Sequence, residues 1–199
     1  MSQNPDRSPD DVITQALQGF TQTGAQRPDG KVLTAALLEL ERSAKQARQM
    51  VTADELLGRW RLCFTASKKA KFKAGQPIGS GFYIPKLAIA QLAFAPYPER
   101  EGLFQITNQL HVGPLKLQFT GPARRCDGKN LLAFDFTRLL VTGFGLPIYR
   151  GAVGQRRSGN QDFQDMAIAK LPFFAFFAAT EQYIAARGRG GGLALWQRV

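Results

Sequence analysis

The chain is short of the residues from which most active sites are built. In 199 residues it has one histidine, His111, and two cysteines, Cys63 and Cys126. Two cysteines do not make a disulfide framework, and no C-x-x-C spacing offers a structural zinc or a redox pair. A Ser-His or Cys-His catalytic pair would have to centre on His111, which sits in Gln109-Leu110-His111-Val112-Gly113-Pro114 with no signature around it. A strand-end histidine without a catalytic role is the expectation. Acids are also scarce: seven follow residue 60, dispersed along the chain, which is not the clustering that a metal requires. Neither G-x-G-x-x-G nor G-x-x-x-x-G-K-[ST] occurs, so no phosphate cradle is expected. The longest apolar run, residues 171–179, is interrupted by Pro172 and is about half of what a spanning helix needs. The first eleven residues carry Asp6, Asp10 and Asp11 and no apolar stretch, which is unlike a secretory signal or a transit peptide and suggests a cytosol-facing location.

What the chain does have is hydrophobic content, at 44%, and positive charge. Its formal net charge is +11, and the excess is uneven: residues 1–60 carry −1 and residues 61–199 carry +12. The second part is therefore the one expected to meet an anionic partner.

The same boundary separates two hydrophobic periodicities. Before it the pattern is helical. Ser8 suits an N-cap, Pro9 the first helical position, and Asp10 and Asp11 the positive end of the dipole, while Val12, Ile13, Ala16, Leu17 and Phe20 share a face. A turn at Pro28-Asp29-Gly30 leads to a second helix from Lys31 to about Met50, with Leu33, Leu37, Leu40, Ala44 and Ala47 in one stripe and Glu39, Glu41, Arg42, Lys45 and Arg48 mostly facing out. Thr52 and Glu55 make a capping box for a short turn before Gly58. From Gly58 the period becomes 2. Leu115, Leu117 and Phe119 alternate with polar neighbours, as do Phe104, Ile106 and Asn108. Turn chemistry recurs at Pro96-Tyr97-Pro98, Gly113-Pro114, Asp127-Gly128, Ser158-Gly159-Asn160 and 188–192. Eight to ten short strands in about 140 residues predict a mainly β protein: an N-terminal helical appendage over 1–57, then a lipocalin-like antiparallel β-barrel over 58–199.

In such a barrel the inward residues either fill the lumen or line a cavity for one apolar ligand. The candidates are the strand aromatics and aliphatics: Phe64, Phe82, Phe104, Leu117, Phe119, Phe134, Phe136 and Tyr183, with Arg138 as a polar contact. The stretch Lys68-Lys69-Ala70-Lys71-Phe72-Lys73 suits an anionic membrane surface, the lysines by charge and Phe72 by dipping into the interface. Nucleic acid is the weaker fit to these charges, because no aromatic-glycine pattern of an RNA-recognition sheet accompanies them. Trp60 reads as a plug for one end of the barrel, with Arg187 or Arg198 stacked on its ring.

Two segments carry a resemblance. Leu57-Gly58-Arg59-Trp60-Arg61-Leu62-Cys63-Phe64-Thr65-Ala66-Ser67 resembles the opening strand of the plastid lipid-associated protein family, the fibrillins. Residues 181–195, from Glu181 through Arg187-Gly188 to Leu195, look like that family's closing hairpin. The resemblance implies a lipocalin-like barrel peripheral to thylakoid membranes, in a cyanobacterial setting, that binds a lipophilic molecule such as a prenylquinone, carotenoid or fatty acid without catalysis and without a cofactor. It also implies a prenyl diphosphate synthase as a partner. Two rivals stand beside it: a bilin lyase of calycin type, with Arg138, Arg150, Arg156 and Arg157 for propionates, and a solid docking module that presents helix 31–50 to a synthase.

Overall fold

The computed structural model describes residues 7–22, 24–97, 102–126, 128–153 and 163–199. The expected turns at 96–98, Asp127-Gly128 and Ser158-Gly159-Asn160 fall wholly or partly outside these residues, as do Arg156 and Arg157.

Both long helices form where local chemistry favours them. Helix α1 (Pro9–Thr21) opens on a reciprocal capping box: the Asp11 N–H donates to Ser8 Oγ at 3.2 Å, and the Ser8 N–H to the Asp11 carboxylate at 3.3 Å. Helix α2 (Gly30–Gln46) is capped by Asp29, whose Oδ1 accepts from the Lys31 N–H at 2.7 Å. It stops short of Met50, and Ala47, expected in its apolar stripe, is exposed. Glu41 departs from the sequence expectation in the other direction. It is buried, because its carboxylate pairs with Arg187 of the last hairpin. Helix α3 (Ala53–Leu56) has the predicted Thr52–Glu55 box.

Thirteen strands follow among the described residues: β1 (Gly58–Ala66), β2 (Lys71–Lys73), β3 (Gln76–Ile78), β4 (Gly81–Tyr83), β5 (Ala88–Pro96), β6 (Leu103–Val112), β7 (Leu115–Cys126), β8 (Lys129–Phe134), β9 (Arg138–Gly143), β10 (Leu146–Ala152), β11 (Phe173–Ala179), β12 (Tyr183–Gly188) and β13 (Leu193–Arg198). The count exceeds eight to ten because of three three-residue strands. Eight strands close an antiparallel barrel in the order β1, β5, β6, β7, β8, β11, β12, β13 and back to β1.

Three hydrophobic clusters result among the described residues. One lies inside the barrel, with Trp60, Leu92, Phe94, Ile106, Leu132, Phe134, Phe176, Ile184 and Trp196. The second lies outside it, where α1 and α2 cover Cys63, Phe64, Phe177, Tyr183, Ala185, Leu193 and Leu195. Strands β12 and β13 are thus buried on both faces and read as nearly continuous apolar runs. The third joins Cys126, Ala133 and Leu171, with Phe163, Met166 and Ile168 against them. The two cysteines are free thiols in different clusters.

One end of the barrel has a floor. The Trp60 indole N–H donates to the Leu56 carbonyl at 2.8 Å, and the Arg198 guanidinium lies 4.1 Å from the Trp60 ring centroid. Arg198 also donates to the carbonyls of Leu57 at 3.0 Å and Glu181 at 2.8 Å, so one side chain ties α3 to two hairpins. Of the two arginines expected near Trp60, it is Arg198 that stacks. Gly58 sits at φ 119°, and a Cβ there would stand 2.7 Å from Arg198 Nη1.

Candidate functional site

The site arises where the barrel fails to close along its whole height. Strand β7 is twelve residues long. Its second half, from Ala123, pairs with β8, which passes on to β11 and completes the ring. Its first half, Leu115 to Thr120, pairs with β9, which turns back into β10 instead. The switch falls at Gly121-Pro122. There the 135–137 segment presses so close that any Cβ on Gly121 would overlap the Asp135 carbonyl. The Asp135 and Thr137 N–H groups still donate to the carbonyls of Pro122 and Thr120, both at 3.0 Å.

Above the switch the sheet β5-β6-β7-β9-β10 leaves the ring and carries the inner face with it. Opposed residues of an antiparallel pair share a face. Leu92 pairs with Trp60 and with Asn108, Asn108 with Phe119, and Phe119 with Leu139. One step further out, Ala90, Leu110, Leu117, Val141 and Tyr149 form the next row. These rows make an open, largely apolar sheet face, the trough, that continues the inner face of the barrel. Leu110 and Tyr149 are exposed on it. Its polar atoms come from the exposed Asn108 amide and the Tyr149 hydroxyl.

The closed half is filled. Phe119, Phe136, Phe134 and Phe174 form a chain of rings at centroid distances of 5.7, 5.1 and 5.1 Å, and Phe174 continues to Trp196 at 5.5 Å. A pocket in this half, between Val51, Leu56, Leu132 and Phe176, has a volume of about 10 Å³, room for one water. The two outcomes that the sequence left open thus divide along the barrel axis: side chains fill the lower half, and an open face extends above it.

The predicted ligand residues separate accordingly. Phe104, Phe119, Phe134 and Phe136 belong to the interior, and Leu117 lies on the trough. Phe64 and Tyr183 do not line it. A bulge between Leu62 and Phe64 turns Phe64 outward, and both residues pack under the helices, where the Tyr183 hydroxyl donates to Asp10 at 3.1 Å. Phe82 is exposed on β4, opposite Thr65. Arg138 and Arg150 stand on the outward face, opposite Thr120 and Leu140, and this removes two of the four arginines offered for propionates. His111, opposite Lys116 and Ile89, is on the same outward face. Phe72 is not free to dip into an interface. It packs against the helical cluster with the Arg42 guanidinium 4.8 Å from its ring centroid, although Lys68, Lys69, Lys71 and Lys73 around it are exposed. Asn108, Leu110, Leu139, Val141 and Tyr149 were not foreseen as site residues. The signal available was the period-2 alternation of β6, which includes Asn108.

Among the described residues no group of three or more His, Cys, Asp or Glu is placed to hold a metal. Burial pushes the Cys63 thiol up to about 12, which disfavours the thiolate. No helix among the described residues is long and apolar enough to cross a membrane. No family model matches the chain, and neither a curated protein nor a solved structure matches it.

Proposed function

We propose that this protein binds a lipophilic small molecule without transforming it, and that the ligand lies along the open trough above Phe119 rather than inside the closed barrel. The observation that carries this reading is the continuity of the apolar inner face past Gly121 onto a sheet with no closing strand among the described residues. A long, flat, apolar molecule matches such a face. Asn108 adds one amide in its middle, able to donate to a carbonyl oxygen, and this favours a prenylquinone or a fatty acid over an unsubstituted carotenoid. The sequence resemblance to the plastid lipid-associated family supports the same ligand class, and with it a location peripheral to thylakoid membranes.

The docking-module alternative is weakened by α2, whose apolar face is already buried against the barrel. The bilin-lyase alternative is weakened by the outward placement of Arg138 and Arg150.

The test is a titration of the purified protein with a short-chain quinone, read by quenching of Trp60 and Trp196. Leu117→Gln and Val141→Gln are expected to weaken binding roughly tenfold each, from lost apolar contact. Arg138→Ala and Arg150→Ala are expected to leave it unchanged. Equal affinity in the trough variants and the parent would overturn the assignment, and loss of a tetrapyrrole on removal of the arginines would favour the lyase.

A further inference from the structure

The trough ends in a rim of exposed apolar side chains, and we propose that this rim enters an anionic lipid bilayer. The rim is continuous across five strands. Leu87 precedes Ala88, which pairs with Val112. Val112 pairs with Leu115, Leu115 with Gly143, and Gly143 with Leu146. The two turns touch, since the Phe144 N–H donates to the Pro114 carbonyl at 3.0 Å. Leu87 is 88%, Phe144 87% and Leu146 70% exposed, an apolar row of a kind that a lone surface leucine does not make.

Local strain at the tip argues independently. Phe144 and Gly145 are the two residues of a hairpin turn, at φ 51° and 81°. Positive φ at both positions is the type I′ geometry, for which Asn-Gly is the favoured pair and a bulky aromatic at the first position is a poor fit. Phenylalanine here costs backbone energy and buries nothing within the chain. Such an outlier points to a role outside the folded monomer.

Charge selects the occupant. Strands β5, β6, β7, β9 and β10 carry no aspartate or glutamate. Lys86 and Lys116 flank the rim, Arg150 stands back from it on the outward face opposite Leu140, and the lysines at 68, 69, 71 and 73 follow β1 at the same end of the barrel. An apolar edge surrounded by cations matches an acyl-chain boundary beneath anionic headgroups. Arg150 faces Leu140 within its own sheet, and two such rims brought together would set like charges side by side, which disfavours a second copy. This inference deepens the ligand reading, which it rests on only for the route: a lipophile would pass between bilayer and trough without crossing water.

The experiment is flotation with ligand-free vesicles of phosphatidylcholine, with and without roughly one-third phosphatidylglycerol. Binding is expected to the anionic vesicles, to weaken with salt, and to fall about fivefold for each of Lys116→Ala and Arg150→Ala. Phe144→Asn is decisive because it should relax the turn: thermal stability is expected unchanged or raised, and vesicle affinity reduced tenfold or more. A Phe144→Cys variant carrying an environment-sensitive dye should shift to the blue on anionic vesicles, while the same dye at Glu181→Cys, at the far end of the barrel, should not. Full vesicle binding by Phe144→Asn, or a dimer in sedimentation that this substitution dissolves, would overturn the proposal. Quinone titration without vesicles reads the trough separately, so the failure of one reading is distinguishable from the failure of the other.

Discussion

Glu41 and Arg187 show what one buried carboxylate does in this fold. Burial alone would raise the Glu41 pKa, but hydrogen bonds from Arg187 and Lys45 and their positive charges outweigh it and hold the carboxyl below its ordinary value of 4.5. Arg187 donates through Nε to Glu41 Oε1 at 2.9 Å and through Nη1 to the Gly191 carbonyl at 2.5 Å, so the pair pins the last hairpin to α2. Because the folded value is depressed, the pair's stabilisation is present above the unfolded carboxylate range and lost as pH falls through the folded pKa. Glu41→Ala is expected to destabilise the protein by about 2–3 kcal/mol at neutral pH, since it strands a half-buried guanidinium. The deficit relative to the parent should shrink in acid. Urea denaturation at pH 7 and below pH 4 would check both statements, and an equal deficit at the two pH values would contradict them.

The element that decides the shape is β7. Its alternation reads from sequence as a plain strand with one buried face, but Leu115 is exposed at the outer end of the open half, whereas Phe119, two residues from the switch, packs on Phe136. Gly121-Pro122 marks the division: the glycine admits the 135–137 backbone, and the proline lacks an N–H that a continuous ladder would use. Gly121→Ala therefore requires the segment to move, at an expected cost of about 2–3 kcal/mol, whereas Gly113→Ala, with open space around its Cβ, is strained only by its φ of 56° and should cost about 1 kcal/mol. Thermal denaturation of the two variants compares them directly. A Gly121→Ala protein as stable as the parent would show that the pinch is not structural.

At the scale of the whole molecule, the helices and the outer face of the barrel share a cluster. Leu37 is fully buried in the cluster that also holds Phe64, Leu193 and Leu195. Leu37→Ala is expected to cost about 2–4 kcal/mol, and far-ultraviolet and tryptophan signals should melt together, since α1 and α2 share a buried cluster with β1, β11, β12 and β13. Separate transitions for helix and barrel signals would show the helices to be an independent unit.

Hydrophobic periodicity placed the two long helices, although the second ends before Met50, together with the change to strands at Gly58 and the barrel class, and cap chemistry at Ser8 and Thr52 added two helix starts, because each depends on residues near in sequence. The floor at Trp60 was legible for the same reason, Gly-x-Trp being a local device. Which residues face the ligand was not. A bulge at Leu62–Phe64 reverses the side of Phe64, and one carboxylate of the charged face of α2, Glu41, becomes buried when Arg187, 146 residues away, supplies the counter-charge. β7 is divided between β8 and β9, the two strands that follow it, and only β8 goes on to pair with the distant β11, while a period-2 pattern is identical whether its apolar side is covered or left open.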